Sequence, residues 1–196
     1  MARPSLREKI LDAGLHVMFR NGYNGTGVRD ICAAAKAPQG SFTNHFRSKE
    51  AFAIEVLDRY FAYVQNLVGN ALGNPKRSPR ARLKRYLDVI SGKLAADEFQ
   101  RGCLIADFSL EAAPHSEKLR QRLLEIFAEW RAPFAACIAE AQASGEIDKA
   151  FAADELAEFL LASWHGAILR MKVERSAAPL QRFKRIAFAT VFKEPA

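Results

Sequence analysis

Residues 26–50 read Thr-Gly-Val-Arg-Asp-Ile-Cys-Ala-Ala-Ala-Lys-Ala-Pro-Gln-Gly-Ser-Phe-Thr-Asn-His-Phe-Arg-Ser-Lys-Glu. The segment holds two short helical patterns separated by a tight turn. In the first pattern, apolar residues recur at helical spacing from Val28 to Ala35; the second runs from about Pro38 to Phe46. A proline suits the first turn of a helix, where its missing N–H leaves no hydrogen bond unmade. The segment therefore predicts a helix, a turn and a second helix.

The exposed face of the second helix carries small polar residues, which is typical of a helix-turn-helix that presents a recognition helix to the DNA major groove. The residues expected on that face are Gln39, Gly40, Ser41, Thr43 and Asn44. Glutamine and asparagine can pair bidentately with adenine, and a serine hydroxyl can bond to several base edges. Gly40 would let the backbone approach the duplex closely. We therefore expect this helix to contact double-stranded DNA.

Phosphate contacts are expected on either side of this helix. Thr26, the expected cap of the first helix, can offer a hydroxyl and a backbone N–H to a phosphate. Arg29, Arg47 and Lys49 supply positive charge, and each neutralised phosphate adds a salt-dependent increment of affinity. His45 is interpreted either as a further DNA contact or as a packing residue. Any one of these residues alone would be better explained as the polar surface of a helical bundle, but the combined pattern favours DNA binding.

Helical patterns continue on both sides of this segment. Helix 1 begins at Ser5, with Glu8 three residues on in a capping-box pattern, and ends at Gly22. Ser48 is expected to cap a long helix 4, which a breaker cluster at 73–79 ends. Later helices are expected from there to about 94, and at 103–112, 116–145, 154–175 and 180–192. No strand-like alternation is present, so the predicted class is all-α with about nine helices.

The combined pattern resembles the DNA-binding end of the TetR family of one-component bacterial regulators. The matching residues are Thr26-x-x-Arg29-Asp30-Ile31, Gly40-Ser41-Phe42 and His45-Phe46-x-Ser48-Lys49-Glu50. The resemblance covers residues 5–57 in detail and the remainder by helix number and length. It implies a helix-turn-helix domain of three helices at 1–47, joined through helix 4 to a helical effector-binding and dimerisation domain at 48–196. It also implies a homodimeric repressor that binds an inverted-repeat operator and is released by a small-molecule effector.

Three positions depart from the usual pattern of that family. Lys36 stands at the turn glycine, so a non-glycine residue is expected to adopt a positive φ, at a cost of roughly 1–2 kcal/mol. Gly27 replaces the second threonine of the usual pair. Thr43 replaces the recognition-helix tyrosine that normally grips a phosphate, which shifts the expected backbone contacts towards Asn44, His45 and Lys49.

Composition limits the class of protein. The formal net charge is +7, which suits a polyanionic partner, and residues 1–50 hold eight Lys/Arg against four Asp/Glu. The basic run at 76–85 is interpreted as a solvated helix face. Apolar runs are short and broken by charge, so neither a membrane span nor a secretory signal is expected. Three widely spaced cysteines indicate free thiols in a reducing cytoplasm rather than a disulfide framework.

The C-terminal part holds candidate effector-binding residues. The aromatic residues that could line a ligand cavity, or equally form plain core, are Phe108, Trp130, Phe134, Phe159 and Trp164. Cys103 follows Gly102 at a predicted helix start, where the helix dipole favours the thiolate. Cys32 and Cys137 are interpreted as buried small hydrophobic residues. A buried, inert Cys103 remains the alternative.

A second resemblance concerns the effector. The segments Gly102-Cys103-Leu104-Ile105 and Trp164-His165-Gly166, together with Lys172, are similar to a TetR branch associated with reactive electrophiles and unsaturated acids. The resemblance implies Cys103 as the sensing thiol and Lys172 as an electropositive neighbour. It also adds His165 to the candidate effector site.

The end of the chain predicts dimerisation. Residues 154–192 are rich in Leu, Phe, Ala and Trp, more apolar surface than two terminal helices need for one subunit's core. Two such helices from each chain would make a four-helix interface.

Catalytic signals are not evident. The four histidines are scattered, no Cys/His spacing resembles a metal site, and no phosphate loop or nucleophile elbow stands out. We therefore expect neither an enzyme nor a cofactor or metal. The alternatives are a helical ligand-binding protein that uses the helix-turn-helix for protein contacts and, less favoured, an enzyme.

Overall fold

The computed structural model describes residues 5–193. Within that range it contains nine α-helices and no strand, which confirms the predicted all-α class. The helices are α1 (Leu6–Asn21), α2 (Val28–Ala34), α3 (Gly40–His45), α4 (Lys49–Leu72), α5 (Pro79–Ala96), α6 (Leu104–Glu111), α7 (Glu117–Ala143), α8 (Ala153–Glu174) and α9 (Ala178–Ala189).

Both ends of α1 follow the sequence signals. The backbone N–H of Glu8 donates to Oγ of Ser5 at 3.2 Å, which confirms the predicted N-cap. Gly22 ends the helix at φ 73°, and its N–H donates to the Met18 carbonyl at 2.9 Å. Glycine suits this position because it carries no Cβ to clash in the left-handed region.

The start of α2 differs from the prediction. Thr26 does not cap the helix: the N-cap is Gly27, whose N–H donates to Oδ2 of Asp30 at 2.7 Å. The Thr26 hydroxyl points back along the chain and donates to the Gly22 carbonyl at 2.6 Å. Asp30 supplies the capping oxygen from within the first turn of the helix, so Thr26 is free to close the preceding turn.

The turn between α2 and α3 confirms the unusual role expected of Lys36. This residue adopts φ 52°, and its N–H donates to the Ala33 carbonyl at 3.1 Å. The N–H of Ala37 then reaches back to the Cys32 carbonyl at 3.0 Å, closing the helix end in the manner of a Schellman motif. A lysine therefore occupies a left-handed position that glycine would adopt with less strain.

Helix α3 is shorter than the predicted 38–46. Pro38 and Gln39 form a turn ahead of it, in which the Ser41 N–H donates to the Pro38 carbonyl at 2.9 Å. Phe46 leaves the helix with extended backbone angles of φ −134° and ψ 128°. The recognition helix is thus about one and a half turns long.

The long helix α4 and the break after it confirm the sequence prediction. The Ala51 N–H donates to Oγ of Ser48 at 3.0 Å, so Ser48 is the cap of α4. The chain then breaks at 73–78, and Ser78 caps α5 by accepting the Ala81 N–H at 3.4 Å. Pro79 stands in the first turn of α5, where a missing N–H costs nothing.

The later helices begin and end close to their predicted bounds. Helix α6 begins at Leu104, so Cys103 immediately precedes the helix rather than forming its first residue. Ser116 caps α7 by accepting the Leu119 N–H at 3.2 Å, and Gly145 follows that helix at φ 76°.

The basic run at 76–85 is only partly a solvated face. Its exposed members are Lys76, Arg77, Lys84 and Arg85. Arg80 instead donates from Nε to the Phe192 carbonyl at 2.7 Å, beyond the end of α9. Arg82 donates from Nη1 to the Leu72 carbonyl at 2.7 Å, at the end of α4. The two arginines are structural because each donates to a backbone carbonyl at or beyond the end of a helix.

The chain divides into two compact units, and neither is continuous in sequence. Among the described residues, the first comprises 5–63 and 104–126, and the second comprises 64–103 and 127–193. The first unit therefore extends beyond residue 47, where the sequence placed a domain boundary. The reason is that α6 and the start of α7 pack with the N-terminal helices.

Candidate DNA-binding surface and effector region

Three phenylalanines fix the recognition helix α3 to the start of α4. The ring centroids of Phe42 and Phe52 lie 5.0 Å apart, and those of Phe46 and Phe52 lie 4.7 Å apart. All three side chains are buried, as the sequence predicted for Phe42 and Phe46. Burying one face of so short a helix holds its opposite face in a defined orientation.

The opposite face of α3 is polar and accessible. The exposed residues on or just before α3 are Gln39, Gly40, Thr43, Asn44 and His45, and Ser41 is half-buried. A Cβ built on Gly40 would meet no atom of the described residues within 4 Å other than its chain neighbours and its own helix backbone, so the space above this glycine is open. The exposure of His45 leaves the DNA-contact interpretation of that residue in place and removes the core-packing one.

Two hydroxyls near this surface are used within the protein. Thr43 donates from Oγ1 to the Gly40 carbonyl at 3.0 Å. Thr26 is 1% exposed, and its hydroxyl bonds to Gly22 as described above. The hydroxyl of Thr26 therefore stabilises the turn before α2.

The basic residues flanking α3 differ in their exposure and in their contacts within the protein. Arg29, on α2, and Arg47, which follows α3, are exposed. Lys49 instead places its Nζ 4.4 Å from the ring centroid of Tyr23, and burial lowers the pKa of this amine. Tyr23 was not singled out from the sequence, because nothing local to it indicates a partner 26 residues further along the chain.

Ion pairs join α1 to α4 beside this surface. Arg59 donates to the carboxylates of both Glu8 and Asp12, and Arg7 pairs with Glu55. The Arg59 guanidinium lowers the pKa of the Glu8 carboxyl. Sequence reasoning missed these residues, although acidic side chains one turn apart on α1 are placed to share one partner.

The second compact unit gathers several of the predicted effector residues. The rings of Trp130 and His165 stand edge-on with centroids 5.1 Å apart, and those of Tyr86 and Phe134 lie 4.8 Å apart. Trp130 and Phe134 are four residues apart on α7 and so share one face of that helix. We call Tyr86, Trp130, Phe134 and His165 the aromatic cluster.

Cys103 lies beside this cluster. Burial raises the pKa of the Tyr86 hydroxyl, and the neighbouring Cys103 thiol adds to the rise. Cys103 itself is buried at 5% exposure. The residue before it lies against α8: a Cβ built on Gly102 would stand 3.5 Å from Cδ of Lys172. The stem of Lys172 is thus next to the backbone that leads into Cys103.

Two buried polar atoms of α8 have no hydrogen-bond partner within the described residues. They are Nε2 of His165 and Nε1 of Trp164. Burial lowers the pKa of His165 to about 4, so the ring is neutral at neutral pH. Buried polar groups usually have partners, so these two atoms are candidates for ligand contacts.

Two other aromatic predictions have different outcomes. Phe108 belongs to the first compact unit, where its ring packs 5.5 Å from that of Tyr23. Phe159 is wrongly predicted as a cavity residue, because its side chain is exposed on α8. The period of an amphipathic helix does not tell a core face from an apolar face directed at another molecule.

The described range 5–193 contains no group of three or more side chains arranged to hold a metal ion. No helix in that range is both long and apolar enough to cross a membrane.

Comparisons with known proteins match both ends of the chain to one family. Residues 10–56 match the family described as bacterial regulatory proteins, tetR family. Residues 79–187 match the family described as tetracyclin repressor-like, C-terminal domain. The first match includes the whole helix-turn-helix, and the second includes the aromatic cluster.

Individual relatives agree over nearly the full length. The HTH-type transcriptional repressor DhaR of Mycobacterium sp. (strain GP1) is 44% identical over 188 residues, covering 96% of this chain and 93% of DhaR. A regulatory protein TetR from Rhodobacter sphaeroides has a crystal structure with a TM-score of 0.87 and 33% identity, covering 93% of this chain and 97% of its own. The reduced form of Escherichia coli NemR gives a TM-score of 0.83 at 25% identity, with coverage of 97% and 99%. This chain belongs to the TetR family of DNA-binding transcriptional regulators.

Proposed function

We propose that this regulator is a homodimeric repressor that binds an inverted-repeat operator through α2 and α3. The observation that carries the proposal is the recognition helix, which is anchored by Phe42 and Phe46 and exposes a polar face. A dimer would present two such helices to successive major grooves of double-stranded DNA, about one helical turn or a multiple apart.

The proposed contacts divide into base readers and phosphate binders. Gln39 and Asn44 are exposed amides that can pair with adenine, and the open space above Gly40 allows a close approach. Arg29 and Arg47 are exposed cations suited to phosphate. Ser41, Thr43 and His45 complete the proposed DNA face. Lys49 and Thr26 are assigned supporting roles, since the Lys49 amine sits over Tyr23 and the Thr26 hydroxyl is bonded internally.

Dimerisation is supported by an apolar stripe on α8. The exposed residues of the stripe, spaced three and four apart, are Phe159, Ala162, Gly166, Leu169 and Val173. Leu169 is 51% exposed and Val173 is 75% exposed. Such spacing gives one face of a helix, and small residues within it allow close helix approach. We infer that a second copy of the chain covers this face, together with Ile186 of α9.

The effector site is proposed in the second compact unit, around Cys103 and the aromatic cluster. The buried Nε2 of His165, which lacks a hydrogen-bond partner among the described residues, supports a ligand there. A thiol beside the cluster supports an effector that is an electrophile or an unsaturated acid. The solved NemR structure is described as a reduced form. The protein would act in the cytoplasm, where its thiols stay reduced.

The experiment that tests this proposal is selection of bound duplexes from a random pool. We expect enrichment of an inverted repeat, bound with a steep dependence on salt. Sedimentation of the complex should give two chains per duplex. The selected duplex is then titrated again after the protein has been treated with N-ethylmaleimide, and release is expected. Enrichment of no sequence would contradict the DNA-binding proposal.

A further inference from the structure

We propose that Glu111, at the end of α6, is a positioning residue for the DNA-binding helices. It lies 87 residues beyond Asn24 in the chain yet contacts the turn that leads into α2. The inference rests on the proposed function of α2 and α3 and adds to the DNA-binding apparatus a residue outside the helix-turn-helix.

The contact between Glu111 and the turn has two parts. The backbone N–H of Asn24 donates to Oε2 of Glu111 at 3.0 Å. The side-chain Nδ2 of Asn24 donates to the Glu111 backbone carbonyl at 3.2 Å. One residue of the turn is therefore held at both its backbone and its side chain. A hydrogen bond to a charged carboxylate is about twice as strong as one between neutral groups.

The turn is shaped to receive this carboxylate. A Cβ built on Gly22 would stand 2.3 Å from Oε1 of Glu111, so a side chain at this position would displace the carboxylate. Gly22 also has φ 73°, which glycine adopts without strain. The Gly22 carbonyl in turn accepts the Thr26 hydroxyl, one residue before the cap of α2. The carboxylate therefore connects to the start of α2 through one short series of contacts.

Neighbouring contacts in the same compact unit act on the same elements. The ring of Phe108 on α6 packs 5.5 Å from Tyr23, and Tyr23 in turn lies under Lys49 at the start of α4. The next residue, Glu50, accepts a hydrogen bond from Oγ of Ser116 at 2.6 Å. The turn before α2 and the start of α4, which flank the DNA-binding helices, are thus both held by residues of α6 or of the segment between α6 and α7.

Electrostatics and positioning predict opposite effects for loss of Glu111. Removing a carboxylate from a DNA-binding protein weakens repulsion from phosphate and should strengthen binding. Removing a positioning contact leaves the turn to be ordered during binding, and this ordering cost should weaken binding. The direction of the change therefore distinguishes the two roles.

The test compares Glu111→Ala with Glu111→Gln in the full-length protein. Both variants lose the charge, but the glutamine Oε1 can still accept the Asn24 N–H. The probe is the duplex that the wild-type protein selects from a random pool. We expect Glu111→Ala to bind it about five-fold more weakly than Glu111→Gln, the effect of one lost hydrogen bond, with the same salt dependence. Amide exchange at residues 22–31 should be faster in Glu111→Ala.

Glu117→Ala is the matched charge control. Glu117 is an exposed carboxylate in the first turn of α7, and it pairs with Arg120 rather than with the turn before α2. Its loss should leave binding unchanged or slightly tighter. Asn24→Ala, which keeps the Glu111 charge and removes the Nδ2 donor, should weaken binding in the same direction as Glu111→Ala and keeps the inference testable if that variant misfolds.

The outcomes separate this inference from the proposed function. If the wild-type protein selects no duplex, the proposed function fails, and amide exchange in the variants still tests the contact. If the wild-type protein binds and Glu111→Ala binds as tightly as Glu111→Gln, with unchanged exchange at residues 22–31, the positioning role is overturned and the proposed function stands.

Discussion

The imidazole of His165 stands edge-on to the indole of Trp130, with ring centroids 5.1 Å apart and an interplanar angle of 68°. Phe127 faces the same imidazole with a centroid distance of 6.2 Å. This apolar surrounding makes a charged imidazolium costly, because a buried charge loses its hydration. The ring therefore stays neutral well below the pH at which an exposed histidine would gain a proton.

That neutrality predicts a pH dependence of stability. Burial lowers the pKa of His165 from 6.5 to about 4, so the unfolded chain binds a proton more readily than the folded one. Above pH 6.5 the imidazole is neutral in both states and does not change the free energy of unfolding. As the pH falls from 6.5 towards 4, the unfolded chain gains a proton that the folded chain does not bind, and the free energy of unfolding falls by about 3 kcal/mol in all. Urea unfolding at several pH values measures this loss. His165→Phe should flatten the slope across that window, whereas His16→Gln, at an exposed histidine, should not. Equal slopes in wild type and His165→Phe would contradict the assignment.

The turn of the helix-turn-helix offers a stabilising substitution. Lys36 has φ 52°, which costs an L-residue roughly 1–2 kcal/mol and costs glycine little. Lys36→Gly should therefore raise the free energy of unfolding by up to about 1 kcal/mol, after the extra entropy of glycine in the unfolded chain is counted. Ala35→Gly, one residue earlier at φ −74°, is the control and should destabilise. Chemical denaturation of both variants measures whether the free energy of unfolding rises or falls. A loss of stability in Lys36→Gly would contradict the backbone strain assigned to Lys36.

Sequence reasoning succeeded where structure is local. The N-caps at Ser5 and Ser48, the glycine after α1 and the strained turn all follow from residues within a few positions of each other. It failed at Thr26 because a capping pattern does not show that the hydroxyl donates to the Gly22 carbonyl instead of accepting an N–H of the helix.

Contacts between residues far apart in the chain could not be predicted from the sequence. No periodic pattern in the sequence indicates the contact of the Lys49 amine with the Tyr23 ring or the hydrogen bond between Asn24 and Glu111. The same limit applies to Cys103: its position beside a helix start was predictable, but its burial depends on elements distant in the chain. The arrangement of the candidate site therefore needed the tertiary structure.

The close approach expected at Gly40 predicts a separation of stability from binding. Apart from its chain neighbours and its own helix backbone, no atom of the described residues lies within 4 Å of a Cβ built there, so Gly40→Ala should fold normally and gain up to about 1 kcal/mol of helix stability. If the DNA backbone or a base edge approaches this position, the added methyl group should weaken operator binding markedly. Gly92→Ala is the matched control, since Gly92 is a similarly open glycine in α5. Thermal unfolding and duplex titration should show both variants stabilised and only Gly40→Ala impaired. Unimpaired binding would place the duplex elsewhere.

The apolar stripe on α8 predicts where the subunits meet. Val173→Glu would place a carboxylate at a position that is 75% exposed in a single chain, so the isolated subunit should tolerate it. In a dimer the same carboxylate would be buried without a partner, which costs several kcal/mol. Sedimentation should show the variant as a monomer at micromolar concentration. Leu110→Glu, at an exposed apolar residue of α6, should remain dimeric. A dimeric Val173→Glu would remove α8 from the interface.

The last prediction concerns which thiol responds to electrophiles. Cys103, Cys32 and Cys137 are 5%, 3% and 2% exposed, so burial slows all three and exposure alone does not rank them. Burial raises the pKa of Cys32, and that of Cys137 to about 11, which leaves these two thiols almost wholly protonated at pH 7.5. The thiolate is the nucleophile, so we expect Cys103, which precedes a helix N-terminus, to be modified first. Its sulfur would add to the alkene of N-ethylmaleimide, forming a carbon–sulfur bond, and the resulting enolate would take a proton from water.

Brief treatment with limiting N-ethylmaleimide at pH 7.5, followed by peptide mass spectrometry, should find the adduct on Cys103. The added group cannot fit beside Tyr86 without displacing the aromatic cluster, so the modified protein should favour a conformation that binds the operator less well. Cys103→Ser should then bind the operator but fail to release it after treatment, whereas Cys137→Ser should respond like wild type. A reversible ligand held by Trp130, Trp164 or Lys172 is the competing account, and it requires that Cys103→Ser still respond. Preferential modification of Cys32 or Cys137, or full release of Cys103→Ser by the electrophile, would rule out Cys103 as the sensing thiol.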